Sequence, residues 1–432
     1  MTGACGKDDD RRRSRARQNA TRRVVAGRIA VAGVAAMLAV PAAASAASAG
    51  SAGAGARGSL AQPSGPTLES WGDNTDGQLD NGQLGNTSDV PGMAQLDPGV
   101  QLTQVSAGCD HAVALTASGQ VLAWGADDQG QLGVDAQSPS PITHPVTVPI
   151  PATVTSIRSS CSFSMALDTS GHVWTWGSNS VGQLGTGSQA PFVVTPTEVS
   201  LPTGTTVKAI SAGEAFGVAL NASGKLFAWG IDNRGQLGDG GHRTGSTVPV
   251  RVHLPSGMTV TFVASGSEHS LALTSTGRVL AWGDNDFGQL GDGTTTERDT
   301  PVRITMPSSV KKVTKLIGGG VFSLALTSTG RLLSWGSNVF GELGDGTFTD
   351  HRQPVRVHLG TTTVTSAVAG GLHVLARTSN GGILAWGEND FGQLGNNSTT
   401  NSNVPITPGI PVGAVVAVGS GSGSFSSFAI MR

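Results

Sequence analysis

Residues 263–293, VASGSEHSLALTSTGRVLAWGDNDFGQLGDG, decide the fold of this chain. Two short apolar runs, 271–274 and 279–282, flank a turn that ends in Gly, and this arrangement is typical of a β-hairpin. A polar loop and the tetrapeptide Gly-Gln-Leu-Gly follow. Because Gly adopts positive φ at little cost, it suits such tight turns. The stretch therefore predicts short antiparallel strands rather than helices.

The same pattern recurs seven times along the chain. Its Trp-Gly dipeptides follow one another at steps of 51 to 53 residues and begin at Trp71, Trp124, Trp176, Trp229, Trp282, Trp335 and Trp386. A regular period near this length indicates a solenoid or a propeller. We therefore interpret the seven Trp side chains as structural residues that pack between repeats.

Each repeat carries four predicted strands, the last of them Pro-rich as at 301–304, which suits an edge strand. A four-stranded sheet of this size has to stack on its neighbours to bury its faces. The first Trp-Gly lacks the strands that precede the others, whereas residues 415–431 supply such strands without a Trp-Gly. We predict an all-β, seven-bladed β-propeller with four-stranded blades, its ring closed by joining the N- and C-terminal strands in one blade.

The first 49 residues differ from the repeats and are predicted to be a signal peptide. Nine basic residues precede an apolar run at 29–40, and an Ala/Ser tract follows it. This is the order of a secretory signal. Arg22-Arg23 is compatible with a twin-arginine signal. Twelve apolar residues are few for a hydrocarbon layer of about 30 Å, so a membrane anchor is the less favoured alternative. Residues 50–66 are predicted to be a Gly/Ala/Ser linker, and 67–432 the propeller.

Charge narrows the class of partner. Without the predicted signal peptide, 18 basic and 26 acidic residues remain, a net charge of −8 with His neutral. A protein of this sign gains no attraction toward polyanions, which argues against nucleic acid as a partner. We expect a monomer that binds a protein.

The repeat, SAG-x-x-H-S-LAL-x-x-x-G-x-V-x-x-WG-x-N-x-x-GQLG, resembles that of the regulator of chromosome condensation family across residues 67–432. The resemblance implies a seven-bladed propeller, and we expect a secreted bacterial-type member. Propellers of this family include guanine-nucleotide exchange factors, a plant ultraviolet photoreceptor and a secreted bacterial β-lactamase inhibitor. The resemblance therefore implies a fold more firmly than a function.

Two features invite a metal reading. A ladder of equivalent positions lies 13 residues before each Trp and contains His111, Phe163, Phe216, His269, Phe322 and His373, with Ser426 in the last unit. Because Phe replaces His in three copies, we interpret the ladder as packing. The Asp/Asn-rich loops after Trp-Gly lack a complete calcium loop and match the preference of turns. With no catalytic motif in the sequence, we predict no catalytic residue, no metal and no cofactor.

The residue pairs just before the ladder differ in all seven copies. In the photoreceptor of the family this loop makes a protein contact, and the resemblance implies that the pairs form a binding surface. The alternative is neutral drift of exposed loops. The candidate protein-binding residues are Asp110, Ser162, Glu214, Ala215, Ser267, Glu268, Val321, Leu372 and Phe425.

Cys109 and Cys161 each stand 15 residues before a Trp. They therefore occupy equivalent sites in adjacent blades, and near the axis of a narrow propeller such sites approach the Cα separation that a disulfide needs. We predict a disulfide between them, which also suits an exported protein.

Two positions break the pattern. Asp80 stands where Gly is expected in Gly-Gln-Leu-Gly, and a second copy of the tetrapeptide follows at 82–85, so the turn has two alternatives. Arg377 takes a position that is Leu in five other units; such a side chain is either exposed or paired with a carboxylate.

Three function classes remain. The first is a secreted protein-binding propeller, non-catalytic, which inhibits or scaffolds an extracellular protein. The second is a guanine-nucleotide exchange factor for a small GTPase, which conflicts with export because such a GTPase is cytosolic. The third is an extracellular polymer-acting enzyme, which requires a pair of carboxylates in one cleft.

Overall fold

The computed structural model describes residues 67–134, 140–241 and 244–432. The predicted signal peptide and linker lie outside these residues. The described chain forms 28 strands in seven four-stranded sheets, each of them antiparallel. The described residues contain no helix long and apolar enough to cross a membrane.

Six blades are continuous in sequence. Blade 1 contains β3 (Leu102–Ala107), β4 (His111–Thr116), β5 (Val121–Gly125) and β6 (Ile142–Val148); blade 2 contains β7 (Val154–Ser159), β8 (Phe163–Asp168), β9 (Val173–Ser178) and β10 (Phe192–Glu198). Blade 3 contains β11 (Val207–Ala212), β12 (Phe216–Asn221), β13 (Leu226–Gly230) and β14 (Ser246–Arg251); blade 4 contains β15 (Val260–Ser265), β16 (His269–Thr274), β17 (Val279–Gly283) and β18 (Arg298–Ile304). Blade 5 contains β19 (Val313–Gly318), β20 (Phe322–Thr327), β21 (Leu332–Gly336) and β22 (His351–Arg356); blade 6 contains β23 (Val364–Ala369), β24 (His373–Thr378), β25 (Ile383–Gly387) and β26 (Ser402–Ile406).

Blade 7 joins the two ends of the described chain and closes the ring, as the sequence predicted. Its outer strands are β1 (Leu68–Gly72) and β2 (Ser88–Met93), and its inner strands are β27 (Val415–Gly419) and β28 (Ser426–Met431). Strand β1 pairs with β28 without a register shift from Leu68 opposite Ile430 to Gly72 opposite Ser426. Strand β27 contacts both β3 of blade 1 and β23 of blade 6.

The Trp side chains of the seven Trp-Gly dipeptides are fully buried, and each links its blade to the preceding one. Every indole Nε1–H donates at 2.8–2.9 Å to a backbone carbonyl in the Gly-Gln-Leu-Gly tetrapeptide of the preceding blade, or in one of its two variants. The pairs are Trp71–Gln393, Trp124–Gln78, Trp176–Gln131, Trp229–Gln183, Trp282–Gln236, Trp335–Gln289 and Trp386–Glu342. The second Gly of the tetrapeptide packs against the indole ring of the next blade. A Cβ at Gly238 would stand 2.7 Å from Trp282, so the contact favours Gly, and blade 7 alone has another residue, Asp80, at this position.

The polar residues of the Trp-Gly loops hold the loops themselves. In blade 4, Asn285 Oδ1 accepts the amide of Leu290, and its Nδ2 donates to the carbonyl of Thr296. Gln289 Oε1 accepts the amide of Phe287, and its Nε2 donates to Asp284. These contacts are the turn chemistry that the Asx-rich composition predicted.

The structure shows how the two irregular positions, Asp80 and Arg377, are accommodated. The indole of Trp124 donates a hydrogen bond to the carbonyl of Gln78. Leu79 is buried whereas Leu84 is 50% exposed, so the first of the two tetrapeptides makes the contact between blades. Asp80 stays in place with φ of 51°. Arg377 pairs with no carboxylate among its described contacts and instead donates from Nε to the carbonyl of Val415 in blade 7 at 2.7 Å.

Glu342 is the one variant of the Gln in this motif. Its side chain is fully buried and still accepts the amide of Phe340, but a carboxylate lacks the amide donor of Gln. Burial, followed by the charges of Asp350 and Glu388, raises the pKa of Glu342 to about 8. The blade-5 loop therefore prefers the protonated acid.

We expect Glu342→Gln to stabilise the protein, and increasingly so at higher pH. The folded protein keeps the proton up to a pKa of about 8, whereas an unfolded glutamate loses it near 4.5. The free energy of unfolding of the parent therefore falls between these pH values and levels off above them. At pH 8 the variant should gain roughly 2 to 4 kcal/mol over its effect at pH 4.5, measured by denaturant unfolding.

The matched control is Gln289→Glu in blade 4, which should introduce the same loss of stability with rising pH. Parallel pH profiles of the parent and Glu342→Gln would contradict burial of a protonated carboxyl at this position.

Candidate protein-binding face

Two sets of loops lie on the same side of the ring. In an antiparallel four-stranded blade, the loop between the first two strands and the loop between the last two strands leave at the same end. The variable pairs occupy the first set, for example between β15 and β16, and the Trp-Gly loops occupy the second. We call this side the loop face.

The structure buries more of the variable pairs than exposed loops would suggest. The half-buried members are Asp110, Ser162, Glu268 and Phe425, and the buried ones are Glu214, Ala215, Ser267, Val321 and Leu372. The first residue of each pair is buried in every blade. Only some second residues are therefore accessible to a partner.

The buried first residues form a belt around the propeller axis. From blade 3 to blade 7, backbone amides donate to the carbonyl of the next blade at 2.8–3.3 Å, in the pairs Glu214–Ser267, Ser267–Gly320, Gly320–Gly371 and Gly371–Ser424. Blades 1 and 2 are joined by the disulfide between Cys109 and Cys161, whose Cα atoms are 4.3 Å apart. Ser160 Oγ completes the step to blade 3 by donating to the carbonyl of Glu214 at 2.8 Å.

Ser422 and Gly423 of blade 7 lie inside this belt and form what we call the plug. The inner strand of this blade starts 11 residues before the ladder position, counted from Val415, whereas the other blades have nine. Ser422 accepts a hydrogen bond on its carbonyl from Ser267 Oγ of blade 4, across the ring, at 3.2 Å. The carbonyl oxygen of Gly423 lies 3.2 Å from Cys109 Sγ. The plug closes the axis at the loop face, and the two-residue insertion is the signal that sequence reasoning missed.

An apolar patch covers the loop face over blades 4 to 7. Val321, Phe340 and Leu372 form its buried base, and Phe287, Val339 and Phe425 pack on them while half-buried. The ring of Phe391 lies 5.3 Å from that of Phe425. The apolar patch comprises Phe287, Val321, Val339, Phe340, Leu372, Phe391 and Phe425.

Sequence reasoning found three residues of the apolar patch, Val321, Leu372 and Phe425. It missed the three Phe residues, although a signal was present. The residue directly before Gly-Gln-Leu-Gly or its Glu variant is Phe in three consecutive blades, at Phe287, Phe340 and Phe391.

An acidic patch adjoins the apolar patch at blades 7 and 1. It consists of Asp73, Asp76, Asp110 and Asp128, and Asp110 is its member from the predicted pairs. Burial, followed by the charges of the other three, raises the pKa of Asp110 to about 7. The negative charge of this patch therefore increases through neutral pH.

A further group of carboxylates is paired with the guanidinium of Arg234. Asp284, Asp286 and Glu297 bring their oxygens within 4.8 Å of one another. Arg234 of the preceding blade hydrogen-bonds Glu297 and approaches Asp286 to 3.7 Å. The guanidinium supplies the positive charge that these acids need, so the arrangement is an ion-pair network between blades 3 and 4.

The His residues of the ladder pair with Ser hydroxyls of the next blade. Their Nε2 atoms lie 2.8–2.9 Å from Oγ in the pairs His111–Ser164, His269–Ser323 and His373–Ser427. Each of these hydroxyls also donates to a backbone carbonyl, so the His supplies the other proton. Burial lowers the pKa of all three rings, to about 4, 3 and 3. Neutral, fully buried rings fit the packing role that the Phe copies indicated.

Together these features define a seven-bladed propeller with a plugged axis and a loop face that is apolar over one part and acidic over another. The family model described as RCC1-like domain matches residues 67–429. The chain therefore belongs to the RCC1-like domain family.

Relatives of known function span several biological settings. The ultraviolet-B receptor UVR8 of Arabidopsis thaliana is 33% identical over 349 residues, which cover 80% of this chain and 78% of the receptor. The human E3 ubiquitin-protein ligase HERC2 is also 33% identical, but the match covers 84% of this chain and only 8% of the ligase. The similarity to that ligase therefore concerns a propeller within a far longer protein.

Solved structures support the fold. Prp20p of Saccharomyces cerevisiae superposes with a TM-score of 0.76 at 23% identity, covering 85% of this chain and 92% of that one. Human WBSCR16 gives a TM-score of 0.75 at 20% identity, with 85% and 99% coverage.

We expect mass labelling of the native protein to modify neither Cys109 nor Cys161 until a reductant is added. Replacing both by Ala removes a cross-link over 52 residues and should lower the free energy of unfolding by ~3 to 4 kcal/mol. Ser160→Ala, which removes only the neighbouring belt hydrogen bond, should cost about 1 kcal/mol. Labelling of both thiols without reductant would rule out the disulfide.

Proposed function

We propose that this chain is a non-catalytic, exported propeller that binds a protein partner through its loop face. The apolar patch carries the proposal, because it gathers half-buried aromatic side chains over a buried base. Binding energy at protein interfaces concentrates in such aromatic clusters. The working interface consists of the apolar patch together with the exposed edges of Asp110, Ser162 and Glu268.

The acidic patch defines the chemistry of the partner. A partner that inserts an apolar or aromatic side chain into the apolar patch and carries Lys or Arg at its edge would match both regions. Charges at the rim of an interface mainly accelerate association and select the partner. Because the pKa of Asp110 is raised to about 7, attraction of a basic partner is expected to strengthen from pH 6 to pH 8.

Export rests on the order of basic, apolar and small residues in the first 49 positions. The net charge of the remaining chain and the disulfide agree with an extracellular setting. Protein binding has a precedent in this fold, since Prp20p of Saccharomyces cerevisiae binds Gsp1p and histones. Exchange on a small GTPase is the alternative suggested by the family, and export separates such a cytosolic GTPase from the propeller.

An extracellular polymer-acting enzyme has weaker support. Of the three converging carboxylates on the loop face, Asp286 and Glu297 are engaged by Arg234, and Asp284 accepts a hydrogen bond from Gln289. Polymer hydrolysis instead uses a pair of acids that act on a substrate. The shape of the loop face, an apolar patch with a charged edge, suits a protein surface better than a sugar chain.

Site-specific photo-crosslinking tests the interface. A photoreactive amino acid at Phe391 should capture one partner from the culture medium of cells that express the protein. The same amino acid at Val412, which is 63% exposed and follows β26 at the other side of the ring, is the control and should capture none. Capture at both positions, or at Val412 alone, would reject the loop face.

Affinity for the captured partner should then depend on the two patches in different ways. Phe287→Gln combined with Phe391→Gln introduces the residue that blade 1 has at this position, Gln129, and should weaken binding by about 100-fold, measured by surface plasmon resonance. Asp110→Asn should slow association several-fold at low salt and remove its rise from pH 6 to 8. Val412→Ser should change neither quantity. Unchanged affinity in the double Phe variant would contradict the proposal.

A further inference from the structure

The inner strands enclose a cavity along the propeller axis. Its volume is about 410 Å³, and residues of all seven inner strands line it. It reaches from the start of these strands, at Thr103 and Gln104, to Gly421 and the plug residue Ser422. Because the plug and belt close the loop face, the cavity is a cup that opens away from the proposed protein interface.

Two cations line the cup from opposite sides of the ring. Arg158 comes from blade 2 and Lys315 from blade 5, and no Asp or Glu is among the lining residues. Neither cation forms an ion pair within residues 67–134, 140–241 and 244–432. The cup is therefore positively charged within a chain whose net charge is negative.

The fold does not demand these cations. The positions equivalent to Arg158 in blades 1 and 3 are Ser106 and Ser211, and those equivalent to Lys315 include Gln104 and Ala209. Arg158 uses Nη1 to donate to the carbonyl of Ile157 at 2.6 Å. The side chains of Arg158 and Lys315 both keep exposed surface at the cavity wall. Because no carboxylate lines the cavity, both charges attract an anion that enters it.

Two serines in the wall of the same cavity have hydroxyl groups without a hydrogen-bond partner among the described residues. Ser265 and Ser422 both line it and are 6% exposed. The Oγ atoms of both are buried without a hydrogen-bond partner in the described chain. Buried hydroxyls are normally hydrogen-bonded, so these two indicate a ligand or ordered solvent that accepts or donates there.

We propose that the axial cup binds a small tetrahedral oxyanion of the phosphate class, inorganic phosphate or a phosphomonoester. Arg158 and Lys315 supply the positive charge, and the partnerless hydroxyls of Ser265 and Ser422 rotate out of the wall to donate to the anion oxygens. Phosphate oxygens accept several such hydrogen bonds at once, and guanidinium matches them in pairs. The volume of the cup leaves space for a small organic group on the phosphate.

Isothermal titration calorimetry of the full propeller with inorganic phosphate and with glycerol 3-phosphate tests this site. We expect saturable binding of one anion per chain, weakened by added salt. Arg158→Ser and Lys315→Gln use residues native to equivalent blades, and each should weaken binding at least tenfold. Lys225→Gln removes an exposed cation from a hairpin turn outside the cup and should bind like the parent.

The two ligands distinguish the sources of the anion. Tighter binding of glycerol 3-phosphate assigns the cup to a phosphomonoester, and tighter binding of inorganic phosphate assigns it to the free ion. Absence of saturable binding to both, or equal affinity in the parent, Arg158→Ser and Lys315→Gln, overturns the proposal. Thermal unfolding of each variant separates loss of the fold from loss of the site. Because the readout is the anion itself, this result is independent of partner binding at the loop face.

Discussion

The hydrogen bond from each buried indole to a backbone carbonyl of the preceding blade is the contact on which the rest of the structure depends. It fixes where the Trp-Gly dipeptide and the Gly-Gln-Leu-Gly tetrapeptide meet, and the Gly at the contact leaves room for the indole, as Gly238 does for Trp282. An unpaired buried indole or carbonyl is costly, so each repeat constrains its neighbour. Blade 7 makes this constraint circular, since Trp71 from the start of the described chain bonds Gln393 of blade 6.

Because the blades hold one another in this way, the two ends of the propeller axis can have different functions. At the loop face, the belt and the plug of Ser422 and Gly423 close the axis and turn the variable loops into a continuous surface. At the other end the same closure leaves a cup with a floor. One insertion of two residues therefore supports both the proposed protein interface and the proposed anion site.

The repeat predicted the number of blades, the strands in each and the closure of the ring, because all three follow from local pattern and from the need to bury both faces of a sheet. The exposure of the variable pairs was harder to predict. Whether a residue such as Ser267 faces solvent or the belt depends on the neighbouring blades. The apolar patch has the same origin: Phe287 and Phe391 belong to different repeats, and only the ring brings them to one surface with Phe425. Burial raises the pKa of Asp110, and the charges of Asp73, Asp76 and Asp128, which add to this effect, come from the loops of two blades.

Hydrogen–deuterium exchange of the native protein tests the closed ring most directly. Amides in the β1–β28 pair of blade 7 should be protected to the same degree as those in the β12–β13 pair of blade 3, because both pairs lie inside a closed ring and open only with the whole fold. Exchange in β1 and β28 that is orders of magnitude faster than in β12 and β13 would show an open array with frayed ends, and would contradict the account.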